Sequence, residues 1–325
     1  MSISWQQQLS NNIKSVDELI EKTANHNLQD LFSEAAHQQF KIKIPLNFIS
    51  RDGCADTDPL LKQVLPHADE TILTAGYLTD PVGDIAAMST PGLIHKYKNR
   101  ALFIVTGACA IHCRYCFRRH FPYSDSQVNK ENWQPAFDYL REHTEISEII
   151  LSGGDPLMIS DEKLQQLVQQ LEKIPHIKRL RIHSRIPSVL PERINDNVIS
   201  VLQTSRFQIS LVTHINHPDE LSPLNRAVFQ HLKQAGVLLL NQSVLLFEIN
   251  DSDKILVELS EKLYEYGILP YYLHLLDPVQ GAAHFSVKEA DAIAIMNSIS
   301  KLLPGYLTPN LVKEVSGEQA KIRIV

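Results

Sequence analysis

The chain has 325 residues, of which 44% are hydrophobic and 21% charged, and its formal net charge is −6. This length can bury a large core, and the composition is typical of a folded globular protein. The slight acidic excess argues against a nucleic-acid partner, because such binding depends on lysine and arginine. No stretch has the apolar length of a membrane-spanning helix, and no secretory signal opens the chain, so we expect a cytoplasmic protein without a membrane partner.

Residues 1–94 are predicted to form an N-terminal, mainly helical region. Leucine, isoleucine and phenylalanine recur at three- and four-residue steps in 15–24 and in 28–40, as on the apolar face of a helix. Ser15 followed by Glu18 matches a capping box at the start of the first of these segments. Proline-containing segments then interrupt the helical pattern.

Between residues 95 and 285, short apolar runs alternate with amphipathic segments, which is typical of βα units. Strands are predicted at 101–106, 148–153, 177–184, 207–214, 237–246 and 269–276. Helices are predicted at 135–142, 161–173, 191–204, 219–234, 251–266 and 286–302. Six such units predict an α/β fold with a partial (βα)6 TIM-like barrel. Its crossovers between parallel strands should be right-handed. Residues 286–325 are predicted to form a C-terminal extension.

Polar side chains follow the predicted strands, at the edge where parallel sheets bind their ligands. They are Cys109, Ser152 to Asp155, His183 to Arg185, His214 with His217, Asn241 with Gln242, and Asp277. The sequence therefore predicts that one rim of the barrel carries the chemistry.

Three of the four cysteines lie close together, as Cys109, Cys113 and Cys116. Cytosolic thiols are kept reduced, so this spacing indicates metal ligation rather than disulfides. Three thiolates on a short loop suit a 4Fe-4S cluster with one iron left open. Structural zinc is the alternative, and it would need a fourth ligand such as His112 or His120.

The cysteine loop after the first barrel strand, with an aromatic residue before its last cysteine, resembles the radical S-adenosylmethionine (SAM) superfamily. The motifs CRYCFRRHF, LSGGDPL, RIHSRIPSVLPERI, THINHPDEL, LNQSVLL and PYYLHLLDPVQGAAHF resemble lysine 2,3-aminomutases over most of 90–325. The similarity is greatest to short bacterial members that make (R)-β-lysine for modification of elongation factor P.

That resemblance implies an isomerase that converts L-α-lysine to (R)-β-lysine. A 5′-deoxyadenosyl radical would abstract hydrogen, and the amino group would migrate from carbon 2 to carbon 3. SAM and pyridoxal 5′-phosphate (PLP) are implied as cofactors beside the 4Fe-4S cluster.

The PLP lysine implied by the resemblance is Lys321. Its amine would form a Schiff base that the amino group of the substrate can displace. A lysine so near the end of a chain is more often a solvated charge, so only the family match favours this role. Relatives commonly carry a glycine-rich run before the lysine, whereas only Gly317 remains here. Lys313 is the competing choice.

Other roles are implied in the same way. The cofactor residues would be Arg100 and Lys96 at the PLP phosphate, Gln242 beside PLP, and Ser152, Gly154, Asp155 and His214 at SAM. The glycine permits close backbone approach. Arg118 would bind the substrate carboxylate, for which a planar guanidinium is suited. Asp277 and Glu314 would bind the ε-ammonium, although relatives often have aspartate at the second position, and such a pair would reject amino acids without that ammonium.

Two alternatives remain open. An aminomutase for another amino acid, such as glutamate, or for a protein-bound lysine is the first, and the acidic pair argues against glutamate. A non-catalytic Fe-S binding module is the second, and Arg118 with a PLP lysine argues against it.

The resemblance implies free L-lysine as substrate, flavodoxin or ferredoxin as reductant, and a functional link to an elongation factor P lysyl-ligase. The fourth cysteine, Cys54, is predicted to be a plain thiol. Clostridial-type relatives use extra cysteines for zinc between subunits. Any homo-oligomer of this chain would then be held without structural zinc.

Overall fold

The computed structural model describes residues 4–49, 55, 57–124 and 133–325, so Cys54 lies outside the described residues. Short helices form the N-terminal region: α1 Trp5–Ser10, α2 Val16–Thr23, α3 Leu28–Leu31, α4 Glu34–Gln39 and α5 Pro59–Lys62. The predicted helix at 28–40 is divided in two because Ser33 caps α4, its side chain accepting a hydrogen bond from the Ala36 amide.

The predicted capping box at the start of α2 is only half formed. The Ser15 hydroxyl accepts a hydrogen bond from the Glu18 amide, as expected. The Glu18 carboxylate accepts instead from the amide of Lys14, one residue before the cap, at 2.6 Å. The predicted cap at Ser15 is therefore confirmed. The predicted reciprocal bond is wrong, because Glu18 accepts from the amide of Lys14 and not from that of Ser15.

A single ten-stranded sheet runs in sequential order through the described chain. Its strands are β1 Met88–Thr90, β2 Leu93–Tyr97, β3 Arg100–Thr106, β4 Glu148–Gly153, β5 Arg179–Ser184, β6 Gln208–Thr213, β7 Leu238–Val244, β8 Leu269–His274, β9 Asn310–Lys313 and β10 Ile322–Arg323. Strands β3 to β9 are parallel, and β1, β2 and β10 join the two edges in antiparallel fashion.

The six predicted strands correspond to β3 to β8, so the α/β, partial-barrel prediction is confirmed. The four edge strands were not predicted. The prediction of a mainly helical region up to residue 94 is wrong for β1 and for the start of β2, because β2 pairs with β3 and β1 pairs in turn with β2.

The later helices connect the parallel strands and cover the outside of the sheet. They are α6 Gln134–Glu142, α7 Asp161–Glu172, α8 Ile186–Val189, α9 Asp196–Thr204, α10 Pro223–Gln234, α11 Asp253–Glu265 and α12 Glu289–Leu302. The side of α7 that carries Leu164, Leu167, Val168 and Leu171 is buried. Over the described range, no helix has both the length and the apolar character needed to cross a membrane.

Strand β5 shows how the sheet positions the site. Side chains alternate between the two faces of a strand. Leu180 and Ile182 are fully buried in the hydrophobic core, whereas Arg181 and His183 line a cavity on the other face. The chemistry-bearing residues of the strands therefore face inward, and the connecting loops at the carboxyl ends complete the site.

Candidate active site

A cavity of about 640 Å³ lies inside the partial barrel. It is lined by every residue to which the family resemblance assigned a role: Lys96, Arg100, Cys109, Cys113, Cys116, Arg118, Ser152, Gly154, Asp155, His214, Gln242, Asp277, Glu314 and Lys321. His217 and Asn241, which were also predicted at the rim, are not among its lining residues. The competing lysine, Lys313, does not line it and pairs instead with Glu289 at 2.8 Å. The geometry thus brings the predicted set together, while the individual roles stay predictions.

The three thiols lie on the loop that follows β3 and line the same cavity. Burial raises the pKa of the Cys109 thiol well above its usual value, and the neighbouring Cys116 adds to this. Burial, followed by Cys113, raises the pKa of Cys116 to about 11. Buried thiols of this kind are costly to ionise unless positive charge meets them, and a metal cluster supplies such charge. The donor set therefore fits an iron–sulfur cluster.

Zinc gains no support from the same loop. Among the residues that the structure describes, no three His, Cys, Asp or Glu side chains are grouped so as to hold a metal ion. The ring of His112 bonds to the Lys41 carbonyl, and that of His120 to the Gln280 carbonyl. A 4Fe-4S cluster has no need of a single convergence point, because each thiolate binds a different iron.

The N-terminal region holds the first part of the cysteine loop. Lys43 Nζ donates to the carbonyl of Cys109 at 2.6 Å, and Asn12 Nδ2 donates to that of Ala110 at 2.6 Å. The backbone amide of His112 also donates to the Lys43 carbonyl. The first helices and the loop are therefore tied together, although about a hundred residues separate them.

A buried ion triad holds the second part of this loop. Glu70 accepts from Arg114 Nη2 at 2.6 Å and from Arg119 Nη2 at 2.7 Å, and all three side chains are at most 1% exposed. Buried charges are tolerated only when they are paired in this way. Arg119 Nη1 also donates to the Gly281 carbonyl, which joins the loop to the segment after β8. Sequence reasoning missed the triad, although the CRYCFRR run supplied both arginines.

A second network was also missed. Arg185 Nη1 donates to the Cys113 sulfur at 2.7 Å and to the Tyr115 hydroxyl at 2.8 Å. Its Nη2 pairs with Glu220 at 2.8 Å. Tyr115 also bonds to His214 Nε2 at 2.9 Å, and burial lowers the pKa of His214 to about 3. A fixed cation at Cys113, one of the predicted cluster ligands, thus lies beside a neutral imidazole.

The loop after β4 packs closely on the cysteine loop at Gly154. A Cβ atom on Gly154 would lie 2.4 Å from the Ala108 carbonyl oxygen, so only glycine fits. Asp155 accepts hydrogen bonds from the Ser184 hydroxyl at 2.8 Å and the Arg185 amide at 2.8 Å. Burial raises the pKa of Asp155 to about 6, although these bonds oppose the rise. Both residues therefore organise loops that surround the cavity.

A chain of alternating charges crosses the cavity wall. It begins at Arg118, whose Nε donates to Asp84 Oδ2 at 2.7 Å. Asp84 pairs with Lys96 at 2.6 Å, and Lys96 pairs with Glu314 at 3.2 Å. Glu314 accepts in turn from Lys321. The predicted carboxylate-binding arginine and the predicted PLP lysine are therefore the two ends of one ion-pair network.

Two cationic residues predicted at the PLP phosphate differ in their surroundings. Lys96 Nζ has a third acceptor, the Val82 carbonyl at 2.6 Å, so all three of its N–H groups are engaged. Arg100 lies with its guanidinium 4.1 Å from the Tyr97 ring centre and also lines the cavity. Arg100 is thus better placed than Lys96 to receive an anion without breaking existing bonds.

Asp277 presents its carboxyl group to the cavity. Burial raises its pKa to about 7, and the negative charge of Glu314 adds to the rise, while Lys321 and Lys96 oppose it. Within the described ranges, Asp277 forms no ion pair. An incoming ammonium group would therefore meet a carboxyl group that no cation already pairs with directly.

Two further histidines face the cavity: His183, which was predicted at the rim without a specific role, and His274, which was not predicted. Among the described residues, His183 Nε2 and His274 Nε2 are buried without a hydrogen-bond partner. Burial lowers the pKa of both imidazoles well below 6.5, and nearby positive charge adds to this effect. The position of His274 near the end of the predicted strand 269–276 was the sequence signal that could have identified it.

Comparisons with known proteins agree with this geometry. Residues 103–259 match the family model of the Radical SAM superfamily. Over 321 residues the chain is 48% identical to the L-lysine 2,3-aminomutase of Escherichia coli, covering 98% of this chain and 93% of that protein. It is 48% identical over 290 residues to the enzyme of the same name from Haemophilus influenzae, covering 89% of this chain and 86% of that protein. The L-lysine 2,3-aminomutase of Clostridium subterminale is 33% identical over 323 residues, which cover 99% of this chain and 77% of that protein.

Proposed function

Because this chain belongs to the lysine 2,3-aminomutase family of radical SAM enzymes, we propose that it isomerises free L-α-lysine to (R)-β-lysine. The main observation that supports this proposal is the distribution of charge within one cavity. Arg118 and Asp277, of opposite charge, line the same space as Lys321 and the cysteine loop. An amino acid with a carboxylate at one end and an ammonium at the other matches that distribution.

The cofactors of this family are a 4Fe-4S cluster, SAM and PLP, and the residues present fit them. Cys109, Cys113 and Cys116 would hold the cluster, and Lys321 would hold PLP. When bound, the cluster with SAM supplies hydrogen-atom abstraction, and PLP supplies the imine chemistry of amino migration. The protein contributes binding, orientation and exclusion of water.

Arg118 would hold the substrate carboxylate. Among the described residues no acceptor meets its Nη2, whereas Nε and Nη1 are bonded to Asp84 and Ser152. Its side chain is 6% exposed, so a contact made there is well shielded from water. Charge-assisted bonds from a guanidinium to a carboxylate are short and directional. Arg118 thereby fixes one end of the substrate near Cys116.

Asp277 would hold the ε-ammonium at the other end. Arrival of an ammonium lowers the cost of ionising this buried carboxyl, so the substrate stabilises the charged form. Glu314 is a weaker candidate for this contact, because it already pairs with Lys96 and Lys321. We propose that Glu314 receives the ammonium of Lys321 when the substrate amine displaces it.

The neutral side chains of His183, His214 and His274 would keep the cavity wall polar without adding charge. Their pKa values all lie below 6.5, because each ring is buried. Because these imidazoles carry no charge, the electrostatic selection of the substrate would come from Arg118 and Asp277. An acidic side chain such as that of glutamate would meet Asp277 with like charge, which disfavours the glutamate alternative.

The wider setting is also a proposal. We infer a cytoplasmic enzyme with flavodoxin or ferredoxin as reductant, whose product supplies an elongation factor P lysyl-ligase. Three regions would divide the work: 1–94 supports the cysteine loop, 95–285 forms the barrel, and 286–325 brings the PLP lysine. Any oligomer would be held without structural zinc. The sequence resemblance to short bacterial members supports this setting.

The test is anaerobic reconstitution with iron and sulfide, followed by incubation with SAM, PLP, dithionite and a panel of amino acids. We expect lysine to be converted to the (R)-β isomer, as read by chiral chromatography, and glutamate to be unchanged. Conversion of glutamate but not lysine would overturn the substrate. A Cys109→Ala variant should lose both the colour of the cluster and the activity, and activity that persisted without colour would overturn the mechanism.

A further inference from the structure

Asp84 lies in the segment before β1 and connects two cations of the cavity wall. Its side chain is 4% exposed, and its two carboxylate oxygens pair with Arg118 Nε at 2.7 Å and with Lys96 Nζ at 2.6 Å. We propose that Asp84 is a positioning residue that orients Arg118 for the carboxylate of the substrate. This inference rests on the proposed function, because it takes Arg118 as the carboxylate-binding group.

Three contacts fix the guanidinium of Arg118. Asp84 takes Nε, and Ser152 Oγ accepts from Nη1 at 3.0 Å. The ring of Phe117 lies 4.8 Å from the guanidinium carbon. Because a guanidinium is planar, bonds at Nε and Nη1 set both its plane and the direction of Nη2. Asp84 therefore determines where the remaining donors point, without touching the substrate itself.

The charge of Asp84 matters as much as its shape. Burial opposes ionisation of this carboxyl, but Arg118 and then Lys96 outweigh burial, so its pKa lies below the usual value. Without that charge, the buried Arg118 would lose the ion pair at its Nε, and Lys96 would keep only Glu314 and the Val82 carbonyl as partners. Arg118 would then be free to leave its position, or Lys96 would be repelled from it.

A third link locates the segment that carries Asp84. Lys96 Nζ also donates to the carbonyl of Val82, two residues before Asp84, and the amide of Asp84 donates to Asp80 Oδ1 at 2.9 Å. The backbone segment that leads into Asp84 is thus held by two hydrogen bonds. A rigid support of this kind suits a residue whose task is to aim another side chain.

The experiment separates recognition of the carboxylate from recognition of the amines. Reconstituted enzyme with bound PLP is titrated anaerobically, without SAM, with L-lysine and with cadaverine, which has both amines but no carboxylate. The absorbance of the bound PLP reports displacement of the protein lysine. The preference for lysine is the ratio of the two half-saturation concentrations, so general changes in PLP binding cancel.

We expect Asp84→Asn to lower the preference for lysine roughly tenfold to a hundredfold, the range for one charge-assisted contact. Asp84→Glu keeps the charge but displaces it, and should lower the preference by less. Should the asparagine variant fail to bind PLP, the glutamate variant decides. An unchanged preference in the variant that can be measured would overturn the proposal.

The matched control is Asp161→Asn, which removes a carboxylate that pairs with a buried arginine outside the cavity. Asp161 contacts Arg193 at 2.7 Å, and the arginine side chain is 0% exposed. The Asp161→Asn variant should have the same preference for lysine as the native enzyme. If it lost as much of that preference as Asp84→Asn, a specific role for Asp84 would be refuted. Absence of any response to lysine in the native enzyme would instead refute the proposed function.

Discussion

Asp277→Asn tests whether the buried carboxyl group of Asp277 is costly to ionise in the free protein, in the absence of a bound ammonium group. In the free protein, burial raises the pKa of Asp277 from 3.8 to about 7. At about 1.36 kcal/mol per pH unit, this shift corresponds to about 4 kcal/mol for the fully ionised group. The residue is partly exposed to the cavity, so water there reduces the cost, and we expect about 2 kcal/mol.

The sign of the pH dependence follows from the raised pKa. The folded protein binds the Asp277 proton more tightly than the unfolded chain does, so its stabilising effect is complete below pH 3.8 and is lost as pH rises to about 7. The asparagine side chain does not titrate. The native protein should therefore lose stability relative to Asp277→Asn between pH 5 and pH 8, by about 1 to 2 kcal/mol.

The assay is urea unfolding of the cofactor-free protein at several pH values, comparing native protein and variant. Other groups titrate equally in both, so the difference isolates Asp277. A difference in the free energy of unfolding that stayed flat across this range would refute the reasoning. In the reconstituted enzyme the same substitution should raise the KM for lysine strongly, since about 3 kcal/mol is typical when one partner of a buried charge pair is removed.

Three other results are expected. Arg185→Gln removes the donor to Cys113, a proposed cluster ligand, and should lower the iron bound after reconstitution, as measured colorimetrically. Full iron content would show that this contact does not support the cluster. Gly154→Ala places a Cβ atom 2.4 Å from the Ala108 carbonyl oxygen and should lower the free energy of unfolding by about 2 kcal/mol or more, whereas unchanged thermal melting would show that the loop yields easily. Borohydride reduction of the PLP-loaded enzyme followed by peptide mapping should label Lys321, and a label on Lys313 would reverse the assignment.

The central strands were predictable because each contains a short apolar run or an alternating apolar pattern between amphipathic segments. Residues 148–153 are buried throughout, so EIILS reads as a strand on composition alone. The edge strands were not predictable in this way. In β2, LIHKY mixes apolar with charged residues, and β9 spans only Asn310–Lys313. Both are strands because a neighbour supplies hydrogen bonds, and that neighbour is a matter of tertiary structure.

The residues of the candidate site also fall into a group that could be predicted from the sequence and a group that could not. Residues that end barrel strands, such as Ser152 and Asp277, were identified because a parallel sheet collects them at one edge. Asp84 and Glu70 were missed because Asp84 lies in an irregular segment and Glu70 in a single short 3-10 turn, and their arginine partners are 34 and 44 residues away. A carboxylate in a loop is usually solvated, and only the fold reveals that these two are buried.

The bonds between the N-terminal helices and the cysteine loop have a consequence for how the protein can be observed. Lys43 and Asn12 bond to backbone carbonyls of the loop, so opening of the N-terminal region removes the support of Cys109. Local opening of this kind needs less free energy than global unfolding. In the cluster-loaded protein, bleaching of the brown iron–sulfur absorption should therefore begin before the barrel unfolds. The chromophore would act as a built-in optical reporter of the first stage of denaturation.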